Sequence, residues 1–275
     1  MRRQLGEQLW AFAVWALVVF FVVNLLAMIA TVWVDSFGTH WFNTWFPPAY
    51  TVQWYTMAWD EFGLPSILAV TVEVVAAVVV LSGLIGVPAA YALARRDFPG
   101  KRVVLLLFLL PLIVPPITYG IPLATVLYQA HLAGAIWGVI LANLVPTVPF
   151  VVLIMIPFVE QIDPRIEAAA HVFGAGLGRL FFQVLVPLLT PGILAALILV
   201  LVRTIAMFEL TFFTAGPDSQ TLVVALYYAV FAAGVRPAQS IDAMAVVYMV
   251  STLVWLLIAL RFVNPTQIVT RARQQ

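Results

Sequence analysis

Residues 160–193 read E-Q-I-D-P-R-I-E-A-A-A-H-V-F-G-A-G-L-G-R-L-F-F-Q-V-L-V-P-L-L-T-P-G-I, a polar island between two apolar runs of membrane length. Asp163 is a good helix N-cap, and Pro164 suits the first helical position, where the missing N–H has no intrahelical partner to lose. Ile166, Ala169, Ala170 and Phe173 recur at i, i+3, i+4 and i+7 and make one apolar stripe. Gly174, Gly176 and Gly178 then stop the pattern. A helix of about ten residues is marginal in water on its own, so this one is expected to dock on something. Its small Ala and Gly side chains suit a groove on a partner's surface. A helix lying on the bilayer would carry more large apolar anchors than Ile166 and Phe173.

The rest of the chain supplies the membrane. Of 275 residues 64% are hydrophobic and 9% charged, with a mean hydropathy of +1.08, well outside the range of soluble domains. Apolar windows mark six candidate spans at about 10–34, 66–94, 103–128, 134–159, 186–208 and 242–263. The first follows Arg2 and Arg3, but it is longer than a signal-peptide core and no A-x-A site follows it, so it reads as a retained anchor. The division expected is 1–65 for this helix and an outer loop, 66–263 for the transmembrane core and 264–275 for a tail. A net charge of +1 and the lack of a basic aromatic tract give no reason to expect nucleic acid. With no cysteine, disulfides and thiolate metal sites are excluded.

Lysine and arginine near span ends stay on the cytoplasmic side. Under six spans, Arg2, Arg3, Arg95, Arg96, Lys101, Arg102, Arg165, Arg179, Arg261, Arg271 and Arg273 share one face, 11 of the 13 basic residues. Arg203 falls inside span five and Arg236 in the loop after it, while 35–65 holds Asp35, Asp60 and Glu61 but no Lys or Arg. Both termini and the 160–185 segment are therefore expected in the cytoplasm. The opposite loop, with Trp33, Phe37, Trp41, Phe42, Trp45, Phe46, Tyr50, Trp54, Tyr55 and Trp59 in or beside it, suits either the headgroup level or a docking ledge for an extracytoplasmic protein.

Prolines 111, 115, 116 and 122 in span three and 146, 149 and 157 in span four remove backbone donors. In lipid such helices are tolerated where they face protein or a water-filled cavity, so these two either line a pathway or are kinked by packing. Charges within spans are few: Glu73, Arg203, Glu209 and Asp242. Each costs roughly 2.5–3.5 kcal/mol at mid-membrane and usually faces the bundle interior. The candidate pathway residues are Glu73, Tyr119, Asn143, Arg203 and Glu209; the two carboxylates would favour a cationic solute.

Enzyme chemistry finds no support in the sequence. His40, His131 and His171 show no zinc spacing, no G-x-S-x-G occurs, and Arg95 sits where a phosphate loop before Lys101 needs its first glycine. No catalytic residue, metal site or bound cofactor is expected. Energy from ATP has to arrive through another chain. An autonomous secondary transporter is the rival, and it would call for ion-coupling residues or an inverted repeat.

The chain resembles the inner-membrane permease subunits of binding-protein-dependent ABC importers. Their signature is E-A-A, three residues, G, then about nine residues to a hydrophobic position and L-P. Here A-A-A-H-V-F-G runs from Ala168 to Gly174, followed by Val184 and Val186-Pro187, with Glu167 one position before the signature's acidic place. P-A-A-Y-A-L-A-R-R-D-F-P-G at 88–100, L-P-L-I-V-P-P at 110–116, T-P-G-I at 190–193 and A-G-P-D-S-Q-T-L at 215–222 extend the likeness over 66–262.

The resemblance implies an all-α transmembrane domain of the type I importer kind, in a bacterial inner membrane, with a short coupling helix between spans four and five. Its implied partners are a second permease, identical or different, two ATPase subunits that hold the ATP and Mg, and a solute-binding protein meeting the 35–65 and 209–240 loops. Asp163, Glu167, Ala168, Ala169, Ala170, Gly174, Arg179 and Pro187 are the coupling residues it implies. The L-P-L-I-V-P-P and A-G-P segments look most like spermidine and putrescine permeases, with iron, thiamine, phosphonate and sugar importers as neighbours. An acidic pair common in polyamine relatives is replaced here by Ala206 and Met207, with Glu209 further on.

Overall fold

The computed structural model describes residues 2–231 and 237–261. Arg236, the 264–275 tail with Arg271 and Arg273, and the last two residues assigned to the transmembrane core lie outside them. The described chain is helical, with isolated bridges in place of strands. Among the described residues five helices are long and apolar enough to cross a membrane, and a sixth crossing exists if one sharply bent pair counts as a single span.

Two compact units can be described separately, one drawing on Met1–Leu64 and Tyr228–Val250, the other on Pro65–Tyr227 and Ser251–Gln275. In the first, α1 (Arg2–Phe37) is strongly apolar, and its most hydrophobic window buries no residue; only near its end do side chains turn in, with Ser36 buried. A helix of that kind is finished by lipid or by another chain. The short α2 (Gln53–Glu61) follows. It splits the expected aromatic ledge in two. Trp54 is buried and its indole N–H donates to the Gly38 carbonyl at 2.6 Å, and Tyr55 stacks by Phe37 and hydrogen-bonds Ser36. Phe42, Trp45, Phe46, Tyr50 and Trp59 stay exposed.

The second unit is built around α3 (Leu64–Arg95), α4 (Lys101–Ile113), α5 (Pro116–Gln129) and α6 (Ile136–Glu160), then α7 (Pro164–Val172), the single turn α8 (Leu177–Arg179), α9 (Val186–Ile205), α10 (Glu209–Thr214) and the first part of α11 (Leu222–Phe231), whose residues from Tyr228 on belong to the first unit. The last long helix, α12 (Ala238–Arg261), passes from the first unit into the second. At the centre, Val74, Val78, Val87 and Ala90 of α3 meet Val151, Val152, Met155 and Val159 of α6 and Leu185, Leu189, Ala196 and Val200 around α9. Gly86 lets α3 and α6 approach closely, since a β-carbon there would meet Val151 Cγ1 at 2.7 Å. Small residues do this where helices pack in lipid.

Three expectations are corrected. The third span is not one rod: it breaks between Ile113 and Pro116 and turns by 102°. The reason is local, because Pro115 forces Val114 out of helical geometry to ψ 129° and Pro116 opens a new helix. Span five begins earlier than 186, because Leu177–Arg179 continues through a π-helical stretch, Leu180–Leu185, into α9. The region after it is not a plain loop, since α10 and the apolar α11 occupy much of it.

Candidate functional site

The segment at 160–185 folds as its local chemistry requires. Asp163 caps α7, its carboxylate accepting the Arg165 N–H at 2.9 Å, and Pro164 opens the helix. At the other end Gly174 takes φ +80°, its N–H reaching the His171 carbonyl at 2.9 Å while the Ala175 N–H reaches that of Ala170 at 3.0 Å. This paired closure ends a helix cleanly and needs a residue tolerant of the left-handed region.

No residue of α7 is buried. The expected apolar stripe is therefore divided: Ala170 packs against the core, whereas Ile166, Ala169 and Phe173 face outward. With Val172 (85% exposed), Phe173 (88%) and Leu177 (70%) they form an apolar surface that this chain leaves uncovered. Ala168 is exposed beside them, as are Arg179 at the end of α8 and Pro187 in the first turn of α9.

Glu167 is the exception, because it turns inward. Its Oε1 pairs with Arg95 Nε at 2.6 Å, and its Oε2 accepts the Tyr91 hydroxyl at 2.6 Å. Arg95 also donates through Nη2 to the Ile162 carbonyl at 2.6 Å, just ahead of α7. The Arg95 and Glu167 side chains are only 16% and 14% exposed, so water screens this pair less than it screens a surface pair. Tyr91 and Arg95 were missing from the sequence-derived site. The signal was their i, i+4 spacing in A-A-Y-A-L-A-R-R, which puts hydroxyl and guanidinium on one helix face.

The pathway candidates do not all meet. Tyr119 on α5 lies within electrostatic reach of both Arg203 and Glu209, and its hydroxyl makes only a long 3.4 Å bond to the Pro111 carbonyl. Arg203, half-buried on α9, sits 5.1 Å above the Phe150 ring, and no carboxylate of the described residues lies within ion-pair distance. Asn143 is fully buried on α6; its Nδ2 donates to the Val139 carbonyl at 2.9 Å and to Thr211 Oγ1 at 3.3 Å, while Oδ1 has no partner. Glu73 joins none of these contacts. Its side chain is exposed on α3 rather than turned into this chain's interior.

Elsewhere, Asp35 accepts from Gln239 at 3.1 Å in the first unit and shares a shallow cavity with Asp242, Trp41 and Phe42. Among the described residues no group of three or more His, Cys, Asp or Glu is placed to hold a metal.

Comparison with known proteins places these features in context. The family model described as binding-protein-dependent transport system inner membrane component matches residues 82–269. The putative molybdenum transport system permease protein YvgM of Bacillus subtilis is 31% identical over 186 residues, 62% of this chain and 81% of that protein. The diacetylchitobiose uptake system permease protein NgcG of Streptomyces coelicolor is 31% identical over 152 residues, 55% of this chain; the match spans half of that relative's length. In solved structures, a chain of a bacterial ABC transporter involved in the import of the acidic polysaccharide alginate superposes with a TM-score of 0.76 at 16% identity, covering 94% of this chain and 98% of that one.

Proposed function

Because the chain belongs to the family of inner membrane components of binding-protein-dependent transport systems, we propose that it is one permease subunit of an ATP-driven importer. The carrying observation is α7. It is a capped nine-residue helix with no fully buried residue; Ile166 and Val172 on it, with Phe173 and Leu177 just beyond its end, are exposed, and it is tied at Glu167 to the end of α3. A helix so short and so exposed reads as a contact held ready for another chain.

On this reading α7 faces the cytoplasm and is gripped by an ATPase subunit that carries the nucleotide and its Mg. A second permease covers the exposed face of this one, including Glu73, and a solute-binding protein delivers cargo from the far side of a bacterial inner membrane. Both termini are then cytoplasmic. Tyr119, Asn143, Arg203 and Glu209 line or border the path at the α5 bend. Transport needs no chemistry from this chain: nucleotide binding by the motor changes the relative stability of inward and outward states.

The cargo is read as a small polar solute. With Arg203 placed beside the path, a polyamine is disfavoured, because this guanidinium has no carboxylate of the described residues within ion-pair distance to offset its repulsion of a polycation. The relatives named above handle molybdenum, diacetylchitobiose and alginate, none of them a polycation.

The test is affinity purification from detergent. An ATPase should co-purify with the unaltered chain and be lost on Gly174→Trp. Solute flux through the chain alone in ATP-free liposomes would instead establish the secondary transporter.

A further inference from the structure

We propose that Tyr91, Arg95 and Glu167 are positioning residues that make α7 and the end of α3 one moving body, separate from the surface a motor protein touches. This rests on the ATP-driven reading above. The argument starts from load. A helix with no fully buried residue, meeting the core through the small side chain of Ala170, has little packing through which to transmit a displacement, and both of its chain connections are short turns, one of them punctuated by Gly174 and Gly176. Pulled at Val172 and Phe173, it would pivot on those turns unless something else held it.

The polar contacts hold it at two points. Both carboxylate oxygens of Glu167 are engaged from α3, by Tyr91 on one and Arg95 on the other. The same guanidinium reaches past the helix to the Ile162 carbonyl in the lead-in turn. Arg95 therefore bridges the helix and the segment that precedes it, which removes the pivot. A planar fork can do this, whereas a lysine ammonium in the same place would have to choose one partner. Behind the contact, Val87, Ala90 and Leu93 are packed into the core, so a displacement of α7 reaches α6 and α9 through α3. Both oxygens of Glu167 are thus engaged inside its own chain.

The chain has no cysteine, so a pair introduced as Arg95→Cys and Glu167→Cys gives this subunit its only two thiols, which a short bifunctional thiol reagent can join before the complex is assembled. The assembly to use is the complete complex in proteoliposomes, with solute uptake and ATP hydrolysis measured together. Glu167→Gln and Arg95→Ala should still co-purify with the ATPase and still hydrolyse ATP, while solute moved per ATP falls about tenfold. Joining the two cysteines should return that ratio toward the unaltered value, which a merely structural defect would not allow. The proposal is overturned if the joined pair blocks transport, since the two elements would then have to separate during the cycle. It is equally overturned if Glu167→Gln leaves the ratio unchanged. Failure of any ATPase to co-purify with the unaltered chain sinks the functional reading instead, so the two failures are told apart at the first step.

Discussion

Two helices of nine residues each, α2 and α7, stand outside the long spans and are held in opposite ways. The first buries Trp54 and Ala58 and has no side-chain cap; its hold is an indole set into its own unit and bonded to the Gly38 carbonyl. The other has no fully buried residue, yet it is capped at both ends and tied by an ion pair. Helices this short do not persist in water by propensity alone. The difference shows what each is for: α2 spends its apolar side chains on its own chain, whereas α7 keeps Ile166, Val172 and Phe173 outside and uses polar contacts for its own order.

The largest effect should come from breaking α2. Trp54→Ala removes a buried aromatic and its hydrogen bond, and truncations of that kind cost about 3–5 kcal/mol. Thermal unfolding in detergent should show a clear drop in melting temperature. A variant that melts with the unaltered protein would mean that α2 is not anchored through its tryptophan and that the contrast with α7 is false.

Next comes Gly174→Val. The residue sits at φ +80° with nothing within 4 Å of where a β-carbon would stand, so the penalty is conformational rather than steric, roughly 1–2 kcal/mol for a left-handed residue with a side chain. We expect that cost to appear as loss of the helix end. Hydrogen exchange at Gly174 and Ala175 should speed up, with little change in global melting.

These two cases also mark what could be read in advance. The cap at Asp163, Pro164 at the start and Gly174 at the end are decided within a few residues, and the sequence displays them. Hydropathy likewise located the spans. It did not locate the bend at Pro115 and Pro116: the two prolines were visible, but a 102° turn depends on α5 finding α10 to pack against. The start of span five was hidden by glycines that read as loop, and α11 by its length, since ten apolar residues fall below a membrane window. The contact of Arg95 with Glu167 joins residues 72 apart. No local pattern encodes that, although the spacing of Tyr91 and Arg95 on one face was there to be seen.

A smaller effect is expected at the other end of α7. Asp163→Ala deletes the cap bond to the Arg165 N–H, worth about 1 kcal/mol. Because α7 is tied rather than packed, the loss should stay local and appear as faster exchange at Arg165 and Ile166. Co-purification of the ATPase should weaken without vanishing. If global stability falls instead, α7 is part of the folding core and its exposed appearance misleads.

The smallest stability effect, and the sharpest use of the contrast, belongs to Val172→Ser. At 85% exposure the side chain contributes almost nothing to its own fold, and exposed substitutions of this sort usually stay within about 0.5 kcal/mol. Trp45→Ala, at 94% exposure, is its counterpart in the outer loop and should be equally silent in melting. The two part company in assembly. An apolar side chain left uncovered on a helix that is otherwise rigidly held is what a partner's groove would fill, so Val172→Ser should cost ATPase binding while the protein melts normally. Trp45→Ala should leave that binding unchanged, because Trp45 belongs to the separate unit that carries α2 and not to the one that carries α7. Equal loss at both positions would mean that exposure alone, and not the tied helix beneath it, determines what this protein presents to others.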